Sequence, residues 1–195
     1  MSQNRNAPAA TGAPWTAARA ASQSVPYCTT SATARQAPAW VASKLAADRS
    51  WPAVRSLLLA LGFSDPTPAD LASDWRGVDV TATRGGRRVR LAWRNRRRKY
   101  FGYRDVTVRL ARPSGASTEV QKWGAADLAL WTWSEPSGAV TDWLLLRCDR
   151  VAPLLAHPWP ALRMPDATAV CISWQSLSQA GAIVAASVGV TAALP

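Results

Sequence analysis

The feature that most constrains the fold is a pair of alternating runs joined by two glycines, GVDVTATRGGRRVRLAWR, at residues 77–94. Adjacent glycines supply the positive φ angles that two-residue hairpin turns require. A turn at Gly85-Gly86 fixes the register, so Thr81 pairs with Arg90 and Asp79 with Ala92. The sequence therefore predicts an antiparallel β-hairpin over roughly residues 78–94.

The hairpin has two chemically distinct faces, because successive side chains of a strand point to opposite sides. We expect the apolar face to lie in the core; it carries Val78, Val80, Ala82, Val89, Leu91 and Trp93. The other face carries Asp79, Thr81, Thr83, Arg88, Arg90, Ala92 and Arg94. An arginine at nearly every second position makes this second face strongly basic.

Positive charge is concentrated in and just after the hairpin. Twelve basic residues and one acid, Asp105, lie between Arg84 and Arg112, so this window alone carries the full net charge of +11. Such a cluster raises the local potential and favours a polyanionic partner, most often nucleic acid. We expect DNA ahead of RNA, with an anionic membrane surface or a merely solvated face as alternatives.

Several other classes of protein are disfavoured. Cys28, Cys148 and Cys171 are odd in number and widely separated, which argues against a zinc site or disulfide framework and favours a reducing, cytoplasmic compartment. His157, the single histidine, precedes a proline, and no nucleophile motif accompanies it. No apolar run reaches 18 residues, so no membrane span is expected.

The sequence predicts a flexible N-terminal arm, residues 1–36, and one α/β domain, residues 37–195. We expect a helix over 37–50, a second helix over 50–63 capped by Ser50, and a turn-rich linker over 64–70. After the hairpin come a third strand (103–111), a short helix (117–127), strands at 127–134, 140–149 and 167–174, and a last helix from 176. Trp93, Trp131, Trp133 and Trp143 fall in strands and are expected in the core.

The order helix, three strands, helix, strand resembles the PD-(D/E)xK nuclease superfamily, with its restriction-endonuclease-like and Holliday-resolvase-like members. In that family an Asp on the first hairpin strand and an acid-x-Lys on the next strand hold Mg²⁺. GVDVTAT matches the first element with Asp79, and LAWR places Ala92 at the acid and Arg94 at the lysine. The resemblance covers about residues 38–150 and implies a mixed sheet flanked by helices.

The resemblance implies Asp79 as metal ligand and catalytic residue, with Arg94 beside it. Ala92 offers no oxygen to Mg²⁺, and an arginine, always protonated, cannot act as a base. Weak Mg²⁺ binding and a degenerate site are therefore expected. Relocated acids could complete the site: Asp74, Asp105 or Glu119. Alternatively, Asp79 forms an ion pair with Arg90 or Arg94.

The sequence also predicts the residues that contact nucleic acid. Arg88, Arg90 and Arg94 would line a groove, and a loop of Arg96, Arg97, Arg98 and Lys99 would follow the backbone. Arg104 extends the basic run, and Tyr100, Phe101 and Tyr103 either stack on an unpaired base or pack in a strand. The expected function is a divergent Mg²⁺-dependent DNA nuclease or its inactive descendant. The alternative is a non-enzymatic protein that binds RNA or an acidic protein.

Overall fold

The computed structural model describes residues 32–115 and 118–187, without the side chains of 32–40 and of Lys122. The chain divides into two units, Met1–Gln36 and Ala37–Pro195. The arm predicted for residues 1–36 lies outside the described residues up to position 31.

The secondary structure alternates between short helices and strands after one long helix. The helices are α1 Ala32–Ala60, α2 Leu71–Trp75, α3 Glu119–Lys122, α4 Cys148–Val151 and α5 Trp174–Gln179. The strands are β1 Ser64–Pro68, β2 Val80–Arg84, β3 Arg87–Arg97, β4 Asp105–Ala111, β5 Leu128–Ser134, β6 Val140–Arg147, β7 Ala161–Met164, β8 Ala167–Ser173 and β9 Ile183–Ala186. Short 3-10 helices span Arg98–Tyr103, Trp123–Ala125 and Ala152–Ala156.

The described strands form two sheets. The main sheet has six strands in the order β1-β2-β3-β5-β6-β9, and the second has three in the order β4-β8-β7. Strands β3 and β5 are parallel, and the other pairs in the main sheet are antiparallel. The predicted α/β class with a mixed sheet is thus confirmed. Because β3 and β5 are parallel, the chain must cross over between them, and β4 and α3 form that crossover.

The predicted hairpin is present, with the predicted register from Val80 to Arg84. Gly85 and Gly86 have φ angles of 57° and 75°, which a primed two-residue turn requires. The ladder pairs Thr81 with Arg90 and Arg84 with Arg87. Strand β3 runs on to Arg97, beyond the predicted end.

Two cores lie on opposite sides of the main sheet. The helix-side core packs α1 against the apolar face of the hairpin and contains Val54, Leu58, Phe63, Val80, Ala82, Leu91, Leu130 and Leu145. The sheet-side core packs the main sheet against the second sheet and includes Ala92, Val106, Val108, Trp131, Trp133, Val170 and Ile172. Strand β5 contributes to both, as predicted for a central strand covered on each face.

Helix α1 differs from the prediction of two helices with Ser50 as an N-cap. The helix continues through Pro52, although proline removes one backbone hydrogen bond there. The Ser50 hydroxyl donates to the Ala46 carbonyl at 3.1 Å and accepts from the Asn95 amide of β3 at 2.9 Å. This tie to β3, together with burial of Val54 and Leu58, outweighs the local signal for a break.

Three other local predictions are wrong. The expected linker after α1 contains β1, which pairs with β2 and forms the edge of the main sheet. The third strand, β4, belongs to the second sheet instead of the main one, and Thr107 on it is buried. The segment expected to end in a helix contains α5 and then β9, which pairs with β6. In each case pairing with a distant strand decided the structure, and local sequence carries no record of that partner.

Candidate nucleic-acid interface

Three arginines on the basic face of β3 contact the crossover or the second sheet. Arg90 donates through its side chain to both oxygens of Asp127, at 2.9 and 3.2 Å, and its backbone N–H donates to the same carboxylate at 2.8 Å. These bonds hold the pKa of Asp127 below its usual value. Arg90 therefore fastens the start of β5 to the hairpin.

Arg94 forms the second of these internal contacts. It pairs with Glu119 of α3, whose side chain is only 4% exposed. The same carboxylate accepts from the backbone N–H and the guanidinium of Arg109, both at 3.1 Å. Glu119 thus lies between two arginines, one from each sheet, and is already satisfied by them.

Arg96 forms the third contact. Its guanidinium donates to the Thr107 carbonyl of β4 at 3.4 Å, and burial lowers its pKa. The prediction that Arg96 belongs to a loop is therefore wrong, because β3 runs to Arg97. Strand parity placed Arg90 and Arg94 on one face, where each forms an ion pair, with Asp127 and with Glu119.

Asp79 and Ala92 do not share an open face. The ladder is regular from Val80 onwards, but the Asp79 N–H donates to the Leu91 carbonyl at 2.9 Å, out of that register. The Asp79 carboxylate accepts the Trp93 N–H at 2.6 Å and lines two clefts beside α1. Ala92 is 7% exposed and packs in the sheet-side core. Position 92 therefore serves packing between the two sheets.

The alternative role for Asp79, an ion pair with Arg90 or Arg94, is not formed either: those arginines pair with Asp127 and Glu119. Burial raises the pKa of Asp79 to about 7, although the Trp93 N–H opposes the shift. The neighbouring Asp74 carboxyl of α2 raises the pKa further. Asp79 is therefore a carboxyl that the fold favours in its protonated form.

The replacement Asp79→Asn should reveal this preference as a pH-dependent gain in stability. The pKa of Asp79 in the folded state is above the ordinary value of 3.8. The stability that protonated Asp79 contributes is therefore fully present below about pH 4 and is lost as the pH rises through about 7. The amide does not titrate, and other groups cancel in the comparison. We expect the variant's free energy of unfolding to rise relative to wild type between pH 4 and 8, measured by urea denaturation. A difference that does not change with pH would show that Asp79 is not perturbed.

The principal cleft lies between α1 and the end of β3 and has a volume of about 840 Å³. Its helix wall carries small residues at 42, 43, 46 and 47, which leave space above β3. The opposite wall runs from Trp93 along β3 to Lys99, and Asp79 and residues 134–136 complete the lining. The β5–β6 turn meets α1 closely, because a Cβ added to Gly138 would lie 2.5 Å from the Arg49 carbonyl oxygen.

Six basic residues line this cleft: Arg49, Arg94, Arg96, Arg97, Arg98 and Lys99. Arg94 and Arg96 hold the internal contacts described above, and Arg98 is 3.3 Å from Glu135 and 3.9 Å from Asp142. Arg49, Arg97 and Lys99 are exposed and have no carboxylate partner among the described residues. These three cations are the ones available to an anionic ligand.

The other predicted contact residues are dispersed. Arg88 is exposed on β3 near the hairpin turn and does not line the cleft. Arg104 places its guanidinium 4.3 Å above the Phe101 ring and 5.0 Å from Trp174. Tyr100 follows Lys99 directly and is 41% exposed. Arg49 was missed by the sequence analysis, because it lies 35 residues before the charge cluster and nothing local distinguishes it from a solvated helix arginine.

A smaller cleft of about 440 Å³ adjoins Asp79 on the other side and includes Asp48 and Asp74. Within residues 32–115 and 118–187, no three potential ligand side chains lie close enough to hold a metal ion. Asp105, one of the candidate relocated acids, lies near Arg96 and Cys171, and burial raises its pKa. The structure brings Asp74 to Asp79, and it does not bring Asp105 or Glu119 there.

No family model, curated protein or solved structure matches this chain. Among the described helices, none combines the length and apolarity that crossing a bilayer demands.

Proposed function

We propose that this protein binds nucleic acid, with DNA as its principal ligand, through the cleft between α1 and the end of β3. The observation that carries the proposal is that Arg49, Arg97 and Lys99 of that cleft are exposed and lack a carboxylate partner in the part of the chain that the structure describes. When cationic side chains contact phosphate groups, the counterions condensed on the nucleic acid are released, and this release favours binding. A cleft with narrow walls also concentrates the positive field at its opening.

We further propose that the domain is a PD-(D/E)xK-like core that binds without efficient hydrolysis. Three features support this inactive form of the proposal. Ala92 is buried between the sheets, Arg94 is engaged by Glu119, and Asp79 is favoured in its protonated form. Weak Mg²⁺ binding at Asp79 stays a prediction, with Asp74 as the neighbouring carboxylate, and metal titration by calorimetry on wild type and Asp79→Ala tests it.

The triple variant Arg49→Ala/Arg97→Ala/Lys99→Ala tests the binding site. Its affinity for a DNA oligonucleotide at about 0.1 M salt should fall by roughly a hundredfold or more, since each lost phosphate contact removes about 0.9 of a released counterion. The matched control is Arg55→Ala/Arg150→Ala/Arg163→Ala, which removes the same charge from exposed positions outside the cleft. Fluorescence anisotropy measures both.

Two outcomes would contradict the proposal. Equal losses in the cleft and control variants would mean that net charge, not this cleft, binds DNA. Competition by polyglutamate as effective as competition by DNA would favour the alternative of an acidic protein partner.

A further inference from the structure

The segment that follows the cleft cations displays two tyrosines on a short 3-10 helix, Arg98–Tyr103, which we call the tyrosine turn. Tyr103 is 72% exposed, and Tyr100 is partly exposed. Exposed rings of this kind gain little by contact with water, and aromatic rings beside cations are the usual stacking surface for unpaired bases. The cleft and the tyrosine turn are continuous, because Lys99 belongs to both.

The tyrosine turn is fixed to the body of the protein by its other side. The Phe101 ring packs edge-on against Trp133 and Trp174, with centroid distances of 5.4 and 5.7 Å. Arg104 ends the turn in the left-handed backbone conformation. Its backbone N–H donates to the Phe101 carbonyl, and its carbonyl accepts from the backbone N–H of Trp174. These contacts hold the backbone that carries the tyrosines in place, which reduces the entropy lost when a ligand stacks on them.

The spacing of the tyrosines suits a base. In an ideal 3-10 helix, side chains three residues apart are eclipsed, which would place Tyr100 and Tyr103 on the same side. Three residues advance roughly 6 Å along the axis. That distance is close to two stacking steps of about 3.4 Å, the room that one base between two rings requires. The Lys99 ammonium lies 5.0 Å from the Tyr100 ring centroid and would meet the adjoining phosphate.

The exposed rings favour one strand rather than two. The bases of an intact duplex are already stacked on one another, so only a strand with unpaired bases offers a free face to the tyrosines beside the cleft.

We propose that the ligand is bound as a single strand, or as the unpaired part of a branched DNA, with an unpaired base stacked on Tyr103. This inference rests on the proposed function and names its substrate class. Phosphates occupy the cleft beside Arg49, Arg97 and Lys99, and the base leaves the strand at the tyrosine turn.

The experiment compares Tyr103→Ala with Tyr103→Phe on an oligothymidylate of about 12 nucleotides, a length within known single-strand site sizes. Alanine should weaken binding about tenfold, and phenylalanine, which keeps the ring, should restore it. An abasic strand with the same phosphates should bind both variants equally. Trp75→Ala, which removes an exposed ring from α2 outside the cleft, is the matched control and should bind like wild type.

Single-strand binding that exceeds duplex binding, and that depends on the Tyr103 ring only when bases are present, supports the inference. If the cleft triple variant loses affinity but Tyr103→Ala does not, or if a duplex of equal phosphate number binds as tightly, the inference fails while the proposed function stands. If neither nucleic acid binds the wild-type protein, both fail.

Discussion

Replacement of Trp133 by alanine is expected to lower the free energy of unfolding by about 3–5 kcal/mol, the usual cost of removing a fully buried aromatic side chain. Trp133 is 1% exposed and lies in β5, the strand shared by both cores. Its ring packs against Phe101 and Trp174, so the loss also removes the support of the tyrosine turn. Chemical denaturation followed by circular dichroism measures the change.

Trp133→Phe is the matched control, because it keeps an aromatic ring at the same position. The Trp133 indole N–H is buried and has no hydrogen-bond partner among the described residues. An unsatisfied donor costs about 1–3 kcal/mol, so its removal offsets part of the lost packing. We expect phenylalanine to cost much less than alanine. A loss below about 1 kcal/mol for alanine would mean that β5 is not the central strand.

Replacement of Glu119 by alanine is expected to cost about 2–4 kcal/mol. The carboxylate is buried between Arg94 and Arg109, and its removal leaves Arg94 without its partner and Arg109 with only Asp166, at 3.7 Å. Breaking a fully buried ion pair costs about 3–5 kcal/mol. We expect a smaller cost here, because the Arg94 side chain is 37% exposed and solvent screens its charge. The free energy of unfolding by urea gives the value.

Glu119→Gln separates charge from hydrogen bonding at this position. Glutamine keeps an acceptor oxygen for Arg94 and Arg109 but loses the negative charge, so it should lie between wild type and alanine. If alanine is tolerated within about 0.5 kcal/mol, the link between α3 and the two sheets is unimportant for stability. A gain in Mg²⁺ affinity on removing either arginine would instead return Glu119 to the candidate metal ligands.

The hairpin was predictable from the sequence because its information is local. Two glycines specify the turn, and the period of two assigns each side chain to a face. Val80, Ala82 and Leu91 lie in the helix-side core as expected. The buried strands β5 and β6 were predictable for a similar reason, since a continuous apolar run needs cover on both faces.

The fate of the arginines was not predictable, because parity gives the face of a side chain but not what covers that face. Arg90 and Arg94 meet acids 37 and 25 residues away, on elements whose placement depends on the whole fold. Residues 84–112 contain a single acid, which suggested an open basic surface. Asp127 and Glu119, which lie outside this range, pair with the arginines at its centre. What remains for a ligand is the end of β3 with Arg49 from the helix.

The surroundings of Asp79 were not predictable from the hairpin turn. The turn register placed Asp79 opposite Ala92, and a change of register at the start of β2 turns the carboxylate towards the Trp93 N–H instead. A one-residue shift at a strand end has no local sequence signal. Asp74 lies in the short helix α2, which begins at the N-cap Asp70, and this helix brings its carboxylate to Asp79.

The salt dependence of DNA binding tests the central claim most directly. For wild type, the logarithm of the association constant should fall linearly with the logarithm of salt concentration. The slope for Arg49→Ala/Arg97→Ala/Lys99→Ala should be shallower by about 2.7, if each side chain meets one phosphate of a duplex, and by about 2.1 for a single strand. The control variant Arg55→Ala/Arg150→Ala/Arg163→Ala should keep the wild-type slope. A cleft variant with an unchanged slope would contradict the account, because the phosphates would then contact another surface.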